Sequence, residues 1–141
     1  MFGIFESEGK KKVKQWKKEH RQLVDLAQKI EEAYRKGNTQ KAKNYLGKLK
    51  NAGLQHLMHE DVAFFQLKEK KKTKELEQTV DSFQQSFGGT KLALMDFLLH
   101  YAKEETVLDE TFIREFEALV KVLAERIDFE ENYFYPMIEK L

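Results

Sequence analysis

Apolar side chains recur along the chain at steps of three and four residues, the period of an α-helix. The pattern predicts four helices, at about 10–36, 39–70, 74–102 and 107–140. The clearest stripe is Phe112, Phe116, Leu119, Leu123, Arg126, Glu130, Tyr133 and Met137. Such alternation of three- and four-residue steps is typical of helices packed in a left-handed bundle. The sequence therefore predicts an all-α fold, an antiparallel up-down-up-down four-helix bundle forming one domain over residues 1–141.

The expected turns differ in the strength of their signals. Gly37-Asn38 predicts the end of the first helix, and Thr39 is expected to cap the second. The second and third helices should part near residues 68–74, although this stretch has neither Gly nor Pro. Gly88-Gly89 is a stronger break signal, but a break there would leave one helix too long and the next too short. We interpret it as a kink inside the third helix.

Composition narrows the function classes. Hydrophobic residues make up 41% and charged residues 35% of the chain, which argues against a membrane-spanning or disordered protein. The absence of cysteine excludes disulfides and thiolate chemistry, and a net charge of +1 gives no reason to expect nucleic acid or a membrane surface as a partner. Because no signal-peptide pattern or transmembrane run is found, the expected compartment is the cytoplasm. Motifs of hydrolases and kinases are missing too, so we expect no chemistry of these classes and assign no catalytic residues.

Five ionisable residues interrupt the apolar stripes: His20, His56, Glu60, Arg126 and Glu130. A buried charge without a partner costs several kcal/mol, so residues of this kind are expected to pair with each other or to bind a metal. The pair His56/Glu60 and the pair Arg126/Glu130 are each spaced by four residues, which places each pair on one helix face. The sequence therefore predicts a polar cluster inside the bundle.

The distances from the turns predict which residues share one level. His20 and His56 lie about sixteen residues on either side of the first turn, so a hairpin of two helices brings them level. Arg126 lies about twenty residues beyond the last turn, and the matching level on the third helix falls near Gln84 and Gln85. The cluster is thus expected at one depth in the bundle.

Two short segments carry a family resemblance: HLMHED at residues 56–61, and RIDFEE at 126–131 followed by YFYP at 133–136. They resemble the hemerythrin-like HHE cation-binding family. The resemblance implies a four-helix bundle around a di-iron centre, with His from the first and third helices and His-x-x-x-Glu from the second and fourth. His20 and His56 match two of the histidines, and Glu60 and Glu130 match the bridging carboxylates. The chain departs from the pattern at Arg126, which replaces the fourth-helix histidine, and on the third helix, where only glutamines stand at the expected level.

Two outcomes follow for the metal site. One divalent metal, iron before manganese or zinc, is retained by His20, His56, Glu60 and Glu130. Alternatively, Arg126 replaces the lost cation and pairs with Glu60 and Glu130 in a core without metal. The second outcome is slightly favoured, because a metal beside an arginine puts two positive charges close together. Candidate accessory residues are His59, Gln84 and Glu131.

The first functional hypothesis is a non-enzymatic binding or sensory protein of hemerythrin-like fold with a reduced or lost iron site. A redox enzyme with a residual metal site is a third hypothesis, and the missing histidines argue against it. A retained metal with an open position implies O₂ or NO as a ligand. The sequence does not predict the oligomeric state.

A second resemblance gives the alternative hypothesis. The pattern VxxWxxExxxLV at residues 13–24 and LxERIxFEE at 123–131 are similar to the regulator of sigma D (Rsd/AlgQ) family of bacterial anti-sigma proteins. This resemblance implies a sigma factor or another regulator as the partner, and an arginine at the position of Arg126.

Overall fold

The computed structural model describes residues 7–70 and 73–140, and all regular structure within these ranges is helical. The elements are α1 (Glu8–Arg35), α2 (Thr39–Lys70), α3 (Lys74–Phe87), α4 (Thr90–Tyr101), α5 (Glu110–Phe129), a π-helical turn (Glu130–Phe134) and α6 (Tyr135–Glu139). The third helix of the bundle consists of α3 and α4, and the fourth runs from α5 through the π-turn to α6. The prediction of an all-α four-helix bundle is confirmed, whereas its left-handedness and antiparallel order stay predictions. Among the described residues, no helix is both long enough and apolar enough to cross a membrane.

The turn between α1 and α2 follows from the Gly37-Asn38 pair. Gly37 adopts a φ of +74°, a left-handed conformation that glycine tolerates best. Its N–H bonds to the carbonyl of Tyr34 at 3.0 Å, and the Asn38 N–H bonds to the carbonyl of Ala33 at 2.9 Å, which is the Schellman pattern. Asn38, rather than the expected Thr39, caps α2, because its side-chain oxygen accepts from the Lys41 N–H at 3.2 Å.

The third helix is divided where a kink was expected. It ends at Phe87 and resumes at Thr90, so the interpretation of Gly88-Gly89 as a kink within one continuous helix needs correction. Both glycines keep right-handed backbone angles. The earlier boundary agrees with the prediction, since α2 ends at Lys70 and Thr73 caps α3 by accepting from the Leu76 N–H. Residues 71 and 72 lie outside the described part.

A buried lysine fixes the connection between α4 and α5. Lys43 lies in α2, is 7% exposed, and donates hydrogen bonds to the backbone carbonyls of Tyr101, Lys103 and Thr106. The bond to Tyr101 satisfies a carbonyl at the end of α4, where a helix leaves acceptors without partners, and the other two hold the segment that follows. The lysine thereby ties α2 to the segment that leads into α5.

The apolar core has two parts. One includes Ile30, Leu46, Leu57, Leu94, Leu98, Phe112 and Phe116. The other includes Val13, Trp16, Ala63, Leu67, Phe83, Phe134, Tyr135 and Ile138. Along α1 and α2, the ionisable residues of the predicted cluster lie between the two parts.

Candidate metal centre

His20 and His56 face each other across the contact between α1 and α2. Their ring centroids are 4.6 Å apart, and each residue is 3% exposed. The two rings meet because both histidines lie equally far from the first turn along helices of equal rise.

Two carboxylates complete the inner side of this site. Glu60 Oε1 is 3.1 Å from His56 Nε2, and Glu130 Oε1 is 3.3 Å from His20 Nε2. One ligand atom from each of the four side chains lies within 4.8 Å of the others, and all four side chains are buried. The structure therefore brings together the set His20, His56, Glu60 and Glu130 that the sequence singled out.

The outer nitrogen of each histidine is bound by a further carboxylate. His20 Nδ1 is 2.8 Å from Glu131 Oε2, and His56 Nδ1 is 2.6 Å from Glu19 Oε1. Because an ionised carboxylate only accepts, each Nδ1–H is the donor, which fixes the ring and leaves Nε2 facing the centre. Glu131 was an expected accessory residue. Sequence reasoning missed Glu19, since nothing in the periodicity of α1 separates it from the other charged residues on that helix.

Arg126 is buried beside the two inner carboxylates. It is 3% exposed; its Nε lies 3.4 Å from Glu130 Oε2 and its Nη2 lies 3.9 Å from Glu60 Oε1. The guanidinium carbon lies 4.9 Å from the ring centroid of Phe83, within the range of a cation–π contact. The expected pairing with Glu60 and Glu130 is thus present, at long distances.

The third helix contributes no polar group to the centre among the described residues. Gln84 and Gln85 were expected at this level, but both are exposed, and the neighbouring Phe83 faces inward instead. The sequence predicted the correct level along the third helix but the wrong face of it, because a shift of one residue turns the side chain by about 100° around the helix axis. His59, another expected accessory residue, is also exposed.

The π-turn brings an unpredicted residue into the site. The Tyr135 N–H bonds to the carbonyl of Glu130, five residues earlier, so the extra residue in this turn changes the buried face. Tyr135 is fully buried, whereas Tyr133, expected in the apolar stripe, is 59% exposed. The Tyr135 hydroxyl donates to Glu60 Oε2 at 2.5 Å and lies 3.1 Å from His20 Nε2. Pro136 is the sequence signal that could have shown this shift, because proline cannot donate to the carbonyl of Asn132.

Burial and the neighbouring charges perturb the protonation of the centre. Burial lowers the pKa of His56, but the nearby carboxylate of Glu60, together with Glu19, outweighs burial and raises this pKa to about 9. Burial raises the pKa of Glu130, and the charge of Glu60 raises it further. Burial also opposes ionisation of Glu60, yet the close contact with the imidazole of His56 lowers the pKa of Glu60. Perturbed groups of this kind cluster at functional sites.

Two buried polar atoms of the centre lack a hydrogen-bond partner: His56 Nε2 and Glu60 Oε1. They face each other at 3.1 Å, without hydrogen-bond geometry. Buried polar atoms are rarely left in this state, and each one that is calls for an explanation. Two imidazole nitrogens and two carboxylates form a donor set that suits divalent iron, manganese or zinc. The residues present therefore fit a metal ion.

The fold and the cluster together define a helical bundle with a histidine–carboxylate centre in its core. The family model of the hemerythrin HHE cation binding domain matches residues 11–138, and the chain belongs to this family. The resemblance predicted from the sequence is confirmed. Comparison of the chain with curated proteins and with solved structures gave no match.

Proposed function

We propose that this chain is a non-enzymatic metal-binding protein whose centre holds one divalent metal, iron before manganese or zinc. His20, His56, Glu60 and Glu130 would supply the ligand atoms. The carrying observation is the orientation of the histidines: both Nδ1 atoms are bonded to outer carboxylates, both Nε2 atoms face the inner carboxylates, and His56 Nε2 has no hydrogen-bond partner. This is how proteins orient histidines toward a metal.

Arg126 takes the place of a second cation in this proposal. A second metal would lack histidine ligands, since Arg126 and Phe83 stand where further ligands would be needed. The distances from Arg126 to Glu130 and Glu60 are 3.4 and 3.9 Å, longer than a close ion pair, so the carboxylate oxygens keep lone pairs for a metal.

The outer carboxylates offset the electrostatic repulsion between a metal ion and Arg126. Glu19 and Glu131 border the centre in addition to Glu60 and Glu130. Metal binding requires its carboxylate ligands to be ionised, and four ionised carboxylates carry a charge of −4 against +3 for Arg126 and a divalent metal combined. This balance supports a metal-bound centre over the metal-free alternative.

The proposed role is binding or sensing of a small molecule. Four protein ligands leave a coordination position at which iron, when bound, supplies affinity for O₂ or NO. The residues of the chain hold the site in place: Tyr135 orients Glu60, and Glu19 and Glu131 orient the histidines.

The test is metal analysis of protein purified without chelators and incubated with iron(II). We expect about one metal per chain, lost in His56→Ala and retained in His59→Ala, because His59 is an exposed histidine three residues away. Absence of metal from the wild-type protein, or equal loss in both variants, would overturn the proposal.

Sigma-factor binding stays a prediction from the second resemblance. No contact within the described residues favours it. Co-purification of a sigma factor with metal-free protein would support this alternative and contradict the metal-based role.

A further inference from the structure

A cavity of about 210 Å³ lies between α1 and α5, next to the candidate metal centre. Most of its lining is apolar and includes Leu23, Ala27, Leu94, Leu119 and Leu123. Its wall also includes His20, His56, Arg126 and Glu130. The cavity therefore connects an apolar chamber with the polar cluster.

Side-chain burial shows that this layer of the bundle is incompletely filled. Leu23, Leu119 and Leu123 stand at core positions of the helical stripes, yet each is only partly buried. Protein interiors are otherwise close-packed, with few voids larger than a water molecule. The cavity is thus a local packing defect in the part of the bundle that contains these three leucines.

Gly53 keeps the floor of the cavity open. It is buried in the middle of α2 and lines the cavity. A Cβ at this position would lie 3.5 Å from Leu94 Cδ2 and 3.9 Å from Leu23 Cδ2, which is ordinary van der Waals contact. Glycine weakens a helix relative to alanine. The chain nevertheless has glycine at this position, although a methyl group would fit.

Arg126 offers unused hydrogen-bond donors at the cavity wall. A guanidinium has five N–H donors. Among the described residues, the only hydrogen bond of the Arg126 side chain is the 3.4 Å contact from Nε to Glu130, although the residue is only 3% exposed. A buried cation with spare donors at the wall of an apolar cavity points to a ligand with an acceptor group.

We infer that this cavity binds a small, uncharged, largely apolar organic molecule whose single acceptor, such as a ketone oxygen, bonds to Arg126. A cavity of about 150 Å³ holds a benzene molecule, so this one accommodates a ring with a short substituent. An uncharged acceptor fits better than a carboxylate, because Glu60 and Glu130 lie beside Arg126 and repel an anion. The inference goes beyond the metal-binding role and does not require a bound metal.

Three probes of nearly equal shape test the inference: acetophenone with a neutral acceptor, ethylbenzene with none, and benzoate with a charge. Binding to the protein as purified is measured by calorimetry and by chemical-shift changes of the amides lining the cavity. Acetophenone is expected to bind about tenfold more tightly than ethylbenzene, since a neutral acceptor gains a bond to a charged donor. Benzoate is expected to bind more weakly than acetophenone.

The site is located with variants of the two glycines of α2. Gly53→Leu fills the cavity and should weaken acetophenone binding about tenfold or more, with a smaller loss in Gly53→Ala. Gly47→Leu and Gly47→Ala are the matched controls, because a Cβ there meets nothing within 4 Å and Gly47 does not line the cavity. Both variants should bind acetophenone as the wild type does. Circular dichroism checks the fold, and Gly53→Ala serves as the test if Gly53→Leu does not fold.

Equal affinity for acetophenone and ethylbenzene, tightest binding of benzoate, or no loss in the Gly53 variants would overturn the inference. So would an absence of binding by all three probes. The metal content of the same preparation is measured alongside, so failure of this inference is distinguishable from failure of the proposed function.

Discussion

The guanidinium of Arg126 packs on the ring of Phe83, with 4.9 Å between the guanidinium carbon and the ring centroid. The family resemblance implies histidines on both helices that carry these residues, one on the third helix and one four residues before Glu130. Phe83 is the buried residue of the third helix at the level of Arg126. We therefore interpret the contact between this ring and the guanidinium as the replacement for a second metal.

Restoring both histidines should restore the second metal. In the double variant Phe83→His/Arg126→His, we expect the metal content to rise from about one to about two per chain, because two imidazoles then join Glu60 and Glu130. Metal analysis after incubation with iron(II) measures the change. The control is Gln84→His/Arg126→His, in which the third-helix histidine is placed at an exposed position. An equal gain in the control would show that Phe83 does not mark the third-helix ligand position.

The outer carboxylates should set metal affinity without touching the metal. Glu19→Gln weakens the hydrogen bond to His56 Nδ1, and Glu131→Gln weakens the one to His20 Nδ1. We expect each substitution to reduce metal affinity about 10- to 100-fold. Competition with a chelator of known affinity measures this loss. Glu117→Gln is the control, because Glu117 pairs with Arg35 on the surface. Unchanged affinity in both outer variants would mean that these bonds do not orient ligands.

The levels of the site residues could be predicted from the sequence, and their faces only in part. The rise of a helix is nearly constant, so counting from the first turn placed His20 level with His56. The face that a residue occupies is harder to predict than its level. An error of one residue led to the prediction that Gln84, rather than Phe83, faces the centre. The π-turn altered the phase once more, so that Tyr135 is buried and Tyr133 is exposed.

Contacts made outside the apolar stripes were the hardest to foresee. Glu19 lies one residue before His20, in a helix rich in charged residues, and its bond to His56 depends on how α1 and α2 are rotated against each other. The split at Gly88-Gly89 depends on a balance between helix continuity and glycine entropy. The periodicity of apolar residues carries no information on either point.

The metal-free protein should lose stability as the pH rises through the titration of His56. The pKa of His56 is raised from 6.5 to about 9, so its contribution is fully present below pH 6.5 and is lost as the pH rises through about 9. The contribution is about 1–3 kcal/mol, reduced by coupling to Glu60 and Glu130. Urea unfolding of chelator-treated protein between pH 6 and 9.5 measures the slope, which should be smaller in His56→Gln. Identical slopes for the two proteins would contradict this assignment.

Gly9 should tolerate no side chain, because α1 and α6 touch there. A Cβ on Gly9 would fall inside van der Waals contact with the carbonyl oxygen of Ile138, a backbone atom that cannot move aside cheaply. We expect Gly9→Ala to reduce the free energy of unfolding by about 1–3 kcal/mol. Gly47→Ala, with nothing within 4 Å of the new methyl, should instead stabilise the protein by about 0.5–1 kcal/mol. Denaturant titration compares the two, and a neutral Gly9→Ala would show that the α1–α6 contact is looser than described.

The most direct test of the central claim is a crystal structure of the iron-loaded protein with anomalous diffraction recorded at the iron edge. The account predicts one anomalous peak within bonding distance of His20 Nε2, His56 Nε2 and the carboxylates of Glu60 and Glu130, with Arg126 still on the ring of Phe83. Two peaks, or no peak with the four side chains bonded only to one another, would contradict it.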